Sequence, residues 1–166
     1  MRTNIMLCFL SDVKPARDTG AISGVDYQNI GEKKRCHTTN ESAARSLLSG
    51  AHEPADQLSR LFLVRTNKVA GAIHGYNATH DWEQTHYDYF LHRISDIVPH
   101  AEQIAEAIDF DENEPIEENM NVLIDVSSHV RRYAKDVRKD RPDTEIILHV
   151  DVTGGPRNAS MILVAL

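Results

Sequence analysis

Apolar residues fall along this chain in short blocks whose spacing alternates between two periods. Continuous apolar runs of strand length occur at Asn4 to Leu10 (NIMLCFL), Ser59 to Thr66 (SRLFLVRT) and Thr144 to Val152 (TEIILHVDV). Runs that are apolar at odd and even positions alike belong to strands covered on both faces, as in a parallel sheet. Between them TTNESAARSLLSG carries a helix signature: Thr38 or Thr39 to cap it, Glu41 in the first turn, Ala and Leu on one face, Gly50 to stop it. Trp82, His86, Tyr89, Phe90, Ile94 and Ile97 recur at helical spacing and predict a second helix, opened by Asp81 and closed before Pro99. The stretch PIEENMNVLIDVSSHVRRYAKDVRKD predicts a long helix with Met120, Leu123, Ile124, Val130 and Val137 facing inward, and AEQIAEAIDFD predicts a further strand. SDVKPARDTGAISGVDYQNIGEKKR, rich in Gly, Asp, Ser and Lys, predicts a long loop or a small hairpin insertion. Strands alternating with helices specify an α/β fold, a Rossmann-like, open, mainly parallel sheet flanked by helices.

Bulk properties narrow the class. The 166 residues fit one domain spanning the whole chain, and 41% hydrophobic with 26% charged residues is the balance of a soluble globular protein. No stretch approaches the roughly 20 apolar residues that cross a bilayer. The N-terminal MRTNIMLCFLSD lacks a small-residue cleavage site and reads as a buried strand rather than a signal peptide, so a cytoplasmic location is expected. Cys8 and Cys36 have no CxxC partners, which fits a reduced compartment. A net charge of -7 argues against a broad basic surface for long nucleic acid and leaves a small anionic ligand in a local pocket.

The last strand runs straight into Thr153-Gly154-Gly155, after which Pro156 opens PRNASMILVAL at a helical position where its missing N–H costs little. A strand, tight turn and helix in succession put unpaired N–H groups and a positive dipole end where open α/β sheets bind ligands. Gly154 and Gly155 would let a phosphate or base approach the backbone, or would serve the tight turn alone. Arg157 adds a bidentate charged fork, Asn158 a donor and an acceptor, and Thr153 a hydroxyl. Ser11 and Asp12, at the end of the first strand, would border the same crevice if the first and last strands are neighbours. These residues point to phosphate or nucleotide recognition, with no cofactor and no metal called for.

DVTGGPRN, Asp151 to Asn158, resembles the D-x-T-[HG]-G-x-R signature of CARF domains, the CRISPR-associated Rossmann fold sensors of type III systems. The resemblance extends to the apolar first strand ending in a small polar residue, the polar loop containing Tyr27, TTNESAARSLL as the first helix, and the apolar strand at Leu61. Two positions depart from the family pattern: Ser11-Asp12 stand where a Gly-Thr usually follows the first strand, and Gly154 replaces a common His. The resemblance implies a homodimer that binds a cyclic oligoadenylate, most often the tetra-adenylate, across its two-fold axis. Ser11, Asp12, Thr153, Gly154, Gly155, Arg157 and Asn158 are then the ligand-contacting positions. It further implies that the chain is the N-terminal sensor part of a longer protein in which binding controls a downstream effector. Two alternatives stay open. One is a metal-independent ring nuclease that cleaves its ligand, for which Ser11, Thr153 and Arg157 are the positions to suspect; the other is a generic Rossmann-like nucleotide-binding protein.

Other clusters favour ordinary roles. His80, His86 and His92 are six residues apart, unlike the four-residue spacing of helical zinc ligands, and His86 is expected to pack with Trp82 and Phe90. DFDENEPIEEN lacks the ligand order and glycine of a calcium loop and reads as a solvated linker. RRYAKDVRKDR places basic residues at a helix C-terminus, where the dipole suits them.

Overall fold

A computed structural model describes residues 2–27, 35–48, 57–74 and 81–156, with the backbone alone at 81–83. In chain order the elements are β1 (Arg2–Phe9), β2 (Val25–Asp26), β3 (Arg35–Cys36), α1 (Thr39–Leu48), β4 (Leu58–Thr66), α2 (Asn67–Ala70) and β5 (Ala72–His74). They continue as β6 (Asp81–Thr85), α3 (His86–Ile94), α4 (Ala101–Ile104), β7 (Ala105–Phe110), α5 (Ile116–Asp140) and β8 (Glu145–Asp151).

Four strands form a wholly parallel sheet in the order β7-β4-β1-β8. This is the α/β, Rossmann-like sheet that the apolar runs predict. Alternation along β1 and β4 divides their side chains between two layers. Met6, Cys8, Leu61 and Leu63 meet Ala44 of α1 and Phe90, Leu91 and Ile94 of α3. Ile5, Leu7, Phe9, Phe62 and Val64 meet Leu123, Val126 and Val130 of α5 on the other side. β1 and β4 are buried on both faces because each face has its own helices.

The chain steps from β1 to β4 to β7 in one direction, then returns across the sheet so that β8 pairs with the opposite side of β1. The strand order therefore reverses between β1 and β8. Their register runs from Arg2 opposite Glu145 to Cys8 opposite Asp151, so both strands end at the same level.

Several local expectations need correction. Asp81 does not open the second helix: residues 81–85 form β6, which pairs antiparallel with β5, and Thr85 caps α3 by accepting Asp88 N–H at 3.0 Å. Thr85 with Asp88 three residues on is a better cap than Asp81, and the β5–β6 pairing claims the residues before it. Ile124 is 47% exposed, whereas Leu123 and Val126 are buried. One residue along a helix turns the side chain by about 100°, and Leu123, Val126, Val130 and Val137 already fill the inward stripe. The strand expected at AEQIAEAIDFD begins only at Ala105, after one helical turn, α4, that starts behind His100 at φ 61°.

The polar stretch after β1 contains the small hairpin β2–β3 and a bridge between Pro15 and Ile22. The hairpin is tied down by a buried ion network. Glu41 of α1, 0% exposed, binds Arg45 at 3.1 Å and Arg93 of α3 at 2.7 Å, and also accepts His37 N–H at 2.8 Å. Arg93 in turn donates to the Arg35 carbonyl at 3.1 Å. Of the described helices, none is long and apolar enough to cross a membrane. The helix expected from Pro156 onward and the stop at Gly50 lie outside the described residues.

Candidate functional site

At the reversal point the chain leaves β1 through Leu10-Ser11-Asp12 and leaves β8 through Val152-Thr153-Gly154. A cleft of about 420 Å³ opens there, walled by Ser11, Asp12, Lys68, Thr153, Gly154 and Gly155 among others. The structure thus brings together Ser11, Asp12, Thr153, Gly154 and Gly155, which lie some 140 residues apart in sequence and meet because β1 and β8 are neighbours. Arg157 and Asn158 lie outside the described residues.

Asp151, the last residue of β8, organises the turn. It is 8% exposed, and its Oδ1 accepts the Thr153 backbone N–H at 2.9 Å and the Thr153 hydroxyl at 2.6 Å. This is an Asx-type turn, in which a short carboxylate holds the backbone two residues on. The other oxygen, Oδ2, accepts Asn40 Nδ2–H at 2.7 Å. Asn40, near the start of α1, also donates to the Phe9 carbonyl at 2.9 Å and accepts Ser11 N–H through Oδ1 at 2.7 Å. The Ser11 hydroxyl pairs with the Thr39 hydroxyl at 2.8 Å. One buried amide therefore joins the end of β1, the start of α1 and the end of β8.

The glycines answer first to the chain itself. A Cβ on Gly154 would stand 2.2 Å from the Phe9 carbonyl oxygen and 2.8 Å from Ser11 Oγ. Gly155 has φ +75°, and a Cβ there would stand 2.5 Å from the Phe9 Cβ. Of the two roles open to them, the tight turn against β1 is the one the geometry displays. Access for a ligand follows from it, because the turn presents backbone and Thr153 to the cleft.

Asp12 is not an isolated acid. Its carboxylate accepts Lys68 Nζ at 2.6 Å and lies 3.9 Å from Lys14 Nζ. Burial pushes its pKa up, but the hydrogen bond and charge of Lys68, with Lys14 and His86, outweigh burial and hold it below the usual range. Cys8, next to the end of β1, is driven the other way: full burial, aided by Asp151, raises its thiol pKa and keeps it protonated. His86, expected beside Trp82 and Phe90, uses Nδ1 to accept Val13 N–H at 2.8 Å.

Asn40, Asp151 and Lys68 escape a motif-based reading of site residues. Asp151 carried a signal as the first position of the matched motif. Asn40 carried a weaker one, as a short polar residue at a helix start, and Lys68 none, because α2 is a single turn placed by the sheet. Compared with protein-family models, curated proteins and solved structures, the chain matches none of them.

Proposed function

We propose that this chain is a sensor domain that binds a cyclic oligoadenylate, in the first instance cyclic tetra-adenylate, in the cleft between β1 and β8. In this reading it acts as a homodimer and controls a downstream effector. The observation that carries it is the reversal of strand order at β1 and β8, which sets Ser11 and the Thr153-Gly154-Gly155 turn on one crevice. Open α/β sheets bind nucleotides outside the carboxyl ends of strands at such a point. The resemblance of DVTGGPRN to the CARF signature supplies the ligand class.

The electrostatics support a local rather than a global attraction. The described walls of the cleft carry Lys68 against Asp12 and Glu112, on a chain of net charge -7. Affinity for a polyanion then comes from backbone N–H groups, Lys68 and Arg157 at short range, while more distant carboxylates are screened beyond about 8 Å at physiological salt. A two-fold dimer would present two such turns to one ring of matching symmetry.

Calorimetric titration with cyclic tri-, tetra- and hexa-adenylate, followed by chromatography of the recovered ligand, tests this reading. One intact ring bound per two chains is the expected result. Linear products would make the protein a ring nuclease, and absence of binding by all three rings would overturn the proposal.

A further inference from the structure

A second cavity, of about 500 Å³, adjoins the switch-point cleft, and Asp12 and Lys68 border both spaces. Its other polar walls include Lys14, His74 and His86. His86 is the first residue of α3 and is 5% exposed. Its backbone N–H donates to the Gly71 carbonyl at 3.3 Å, and its Nδ1 accepts Val13 N–H at 2.8 Å, so the ring is fixed from two sides.

The second of these bonds determines the tautomer. A backbone N–H only donates, so Nδ1 carries no proton and the neutral ring holds its proton on Nε2. Burial lowers the His86 pKa, with Lys68 and His74 acting in the same direction and Asp12 against them, so the ring is neutral at physiological pH. The imidazole is thus a fixed neutral donor whose only other polar atom, Nε2, belongs to a residue lining the cavity. Neutral imidazole used in this way stabilises an oxyanion without giving up a proton.

Charge selects the ligand. Lys14 and Lys68 face Asp12 alone among ionised wall residues, which leaves this cavity one positive charge on an otherwise acidic protein. An ammonium beside a fixed N–H donor matches the oxygens of a phosphate or phosphodiester. We propose that this cavity is a phosphate-binding compartment in which His86 Nε2–H and Lys68 Nζ hold phosphoryl oxygens, Lys14 adds charge, and Asp12 orients Lys68. The inference rests on the proposed function in one respect: because the two spaces share Asp12 and Lys68, the phosphate belongs to the same ligand that seats on the glycine turn.

The test is titration of isotope-labelled protein with inorganic phosphate at neutral pH, against chloride at equal ionic strength, with cyclic tetra-adenylate titrated separately. The His86 Nε2–H resonance and the Thr153 and Gly154 amides are followed. Phosphate should move the His86 resonance in the native protein. Lys68→Met should weaken phosphate binding about tenfold, the worth of one hydrogen bond to a charged group. His86→Asn, whose Oδ1 can still accept Val13 N–H, should weaken it similarly while the protein keeps a cooperative unfolding transition. If phosphate moves Thr153 and Gly154 but leaves His86 unmoved, the compartment is overturned and the proposed function stands. Undiminished affinity in folded Lys68→Met overturns it as well. A shifted His86 together with no binding of cyclic tetra-adenylate supports the compartment as a phosphate site and removes the proposed function instead.

Discussion

The Asn40 side chain, 0% exposed, accepts Ser11 N–H and donates to the Phe9 carbonyl and to Asp151. Replacing it by the similarly sized Leu strands three buried polar groups at once. Each unsatisfied group costs about 1–3 kcal/mol, and partial relaxation keeps the total for Asn40→Leu at about 3 kcal/mol. Urea unfolding of the variant checks this, and a loss below about 1 kcal/mol would show that water or backbone movement replaces the amide. Gly154→Ala acts through overlap instead, since its Cβ meets the Phe9 carbonyl at 2.2 Å and backbone has to move. It should cost about 2 kcal/mol and displace the Thr153 turn, so that urea unfolding and cyclic tetra-adenylate affinity fall together. At this scale the motif Asp151 to Gly155 was legible because its residues are local in sequence. Asn40 was not, because the groups it satisfies come from segments 29 and 111 residues away.

Among the elements, α5 shows what periodicity can and cannot locate. Its helical character and its approximate ends followed from the pattern, yet Leu123 and Ile124 are both apolar and only one can occupy the inward stripe. Leu123 is 0% exposed between β1, β4 and α5, and Leu123→Ala should cost about 3 kcal/mol through lost contact and the remaining cavity. Ile124→Ser, on the solvent side, should stay within about 0.5 kcal/mol of the native protein. Urea denaturation of the pair decides the orientation of the helix, and a reversed ranking would mean it is rotated by one residue. The same reasoning applies to α3, whose apolar spacing continues back through Trp82. The spacing was genuine, but pairing of β6 with β5 gives those backbone groups cross-strand partners and moves the start to His86.

For the whole molecule, burial leaves a mark on pH dependence. His86 and His149 have pKa values lowered from 6.5, His86 chiefly by burial and His149 by burial alone. Below that value the unfolded chain takes up protons that these two rings in the folded chain resist. Their contribution to stability is therefore fully present above about 6.5 and is lost as pH falls through their lower folded values. Urea midpoints measured from neutral to mildly acid pH should decline, and His86→Asn should flatten that decline. An unchanged slope in the variant would remove His86 as its source.

The sequence by itself determined the strands β1, β4 and β8, the helices α1 and α5, the α/β class and the Asp151 to Gly155 turn. All of these depend on interactions within a few residues or on a repeating apolar pattern, and both are written along the chain. Only the tertiary structure decided that β8 returns to the far side of β1, that Asn40 bolts three segments together, and that Lys68 and His86 share a cavity with Asp12. Those outcomes depend on which strands become neighbours. Sheet order is set by the joint packing of helices on both faces, a property of the assembled core that no local window of residues contains.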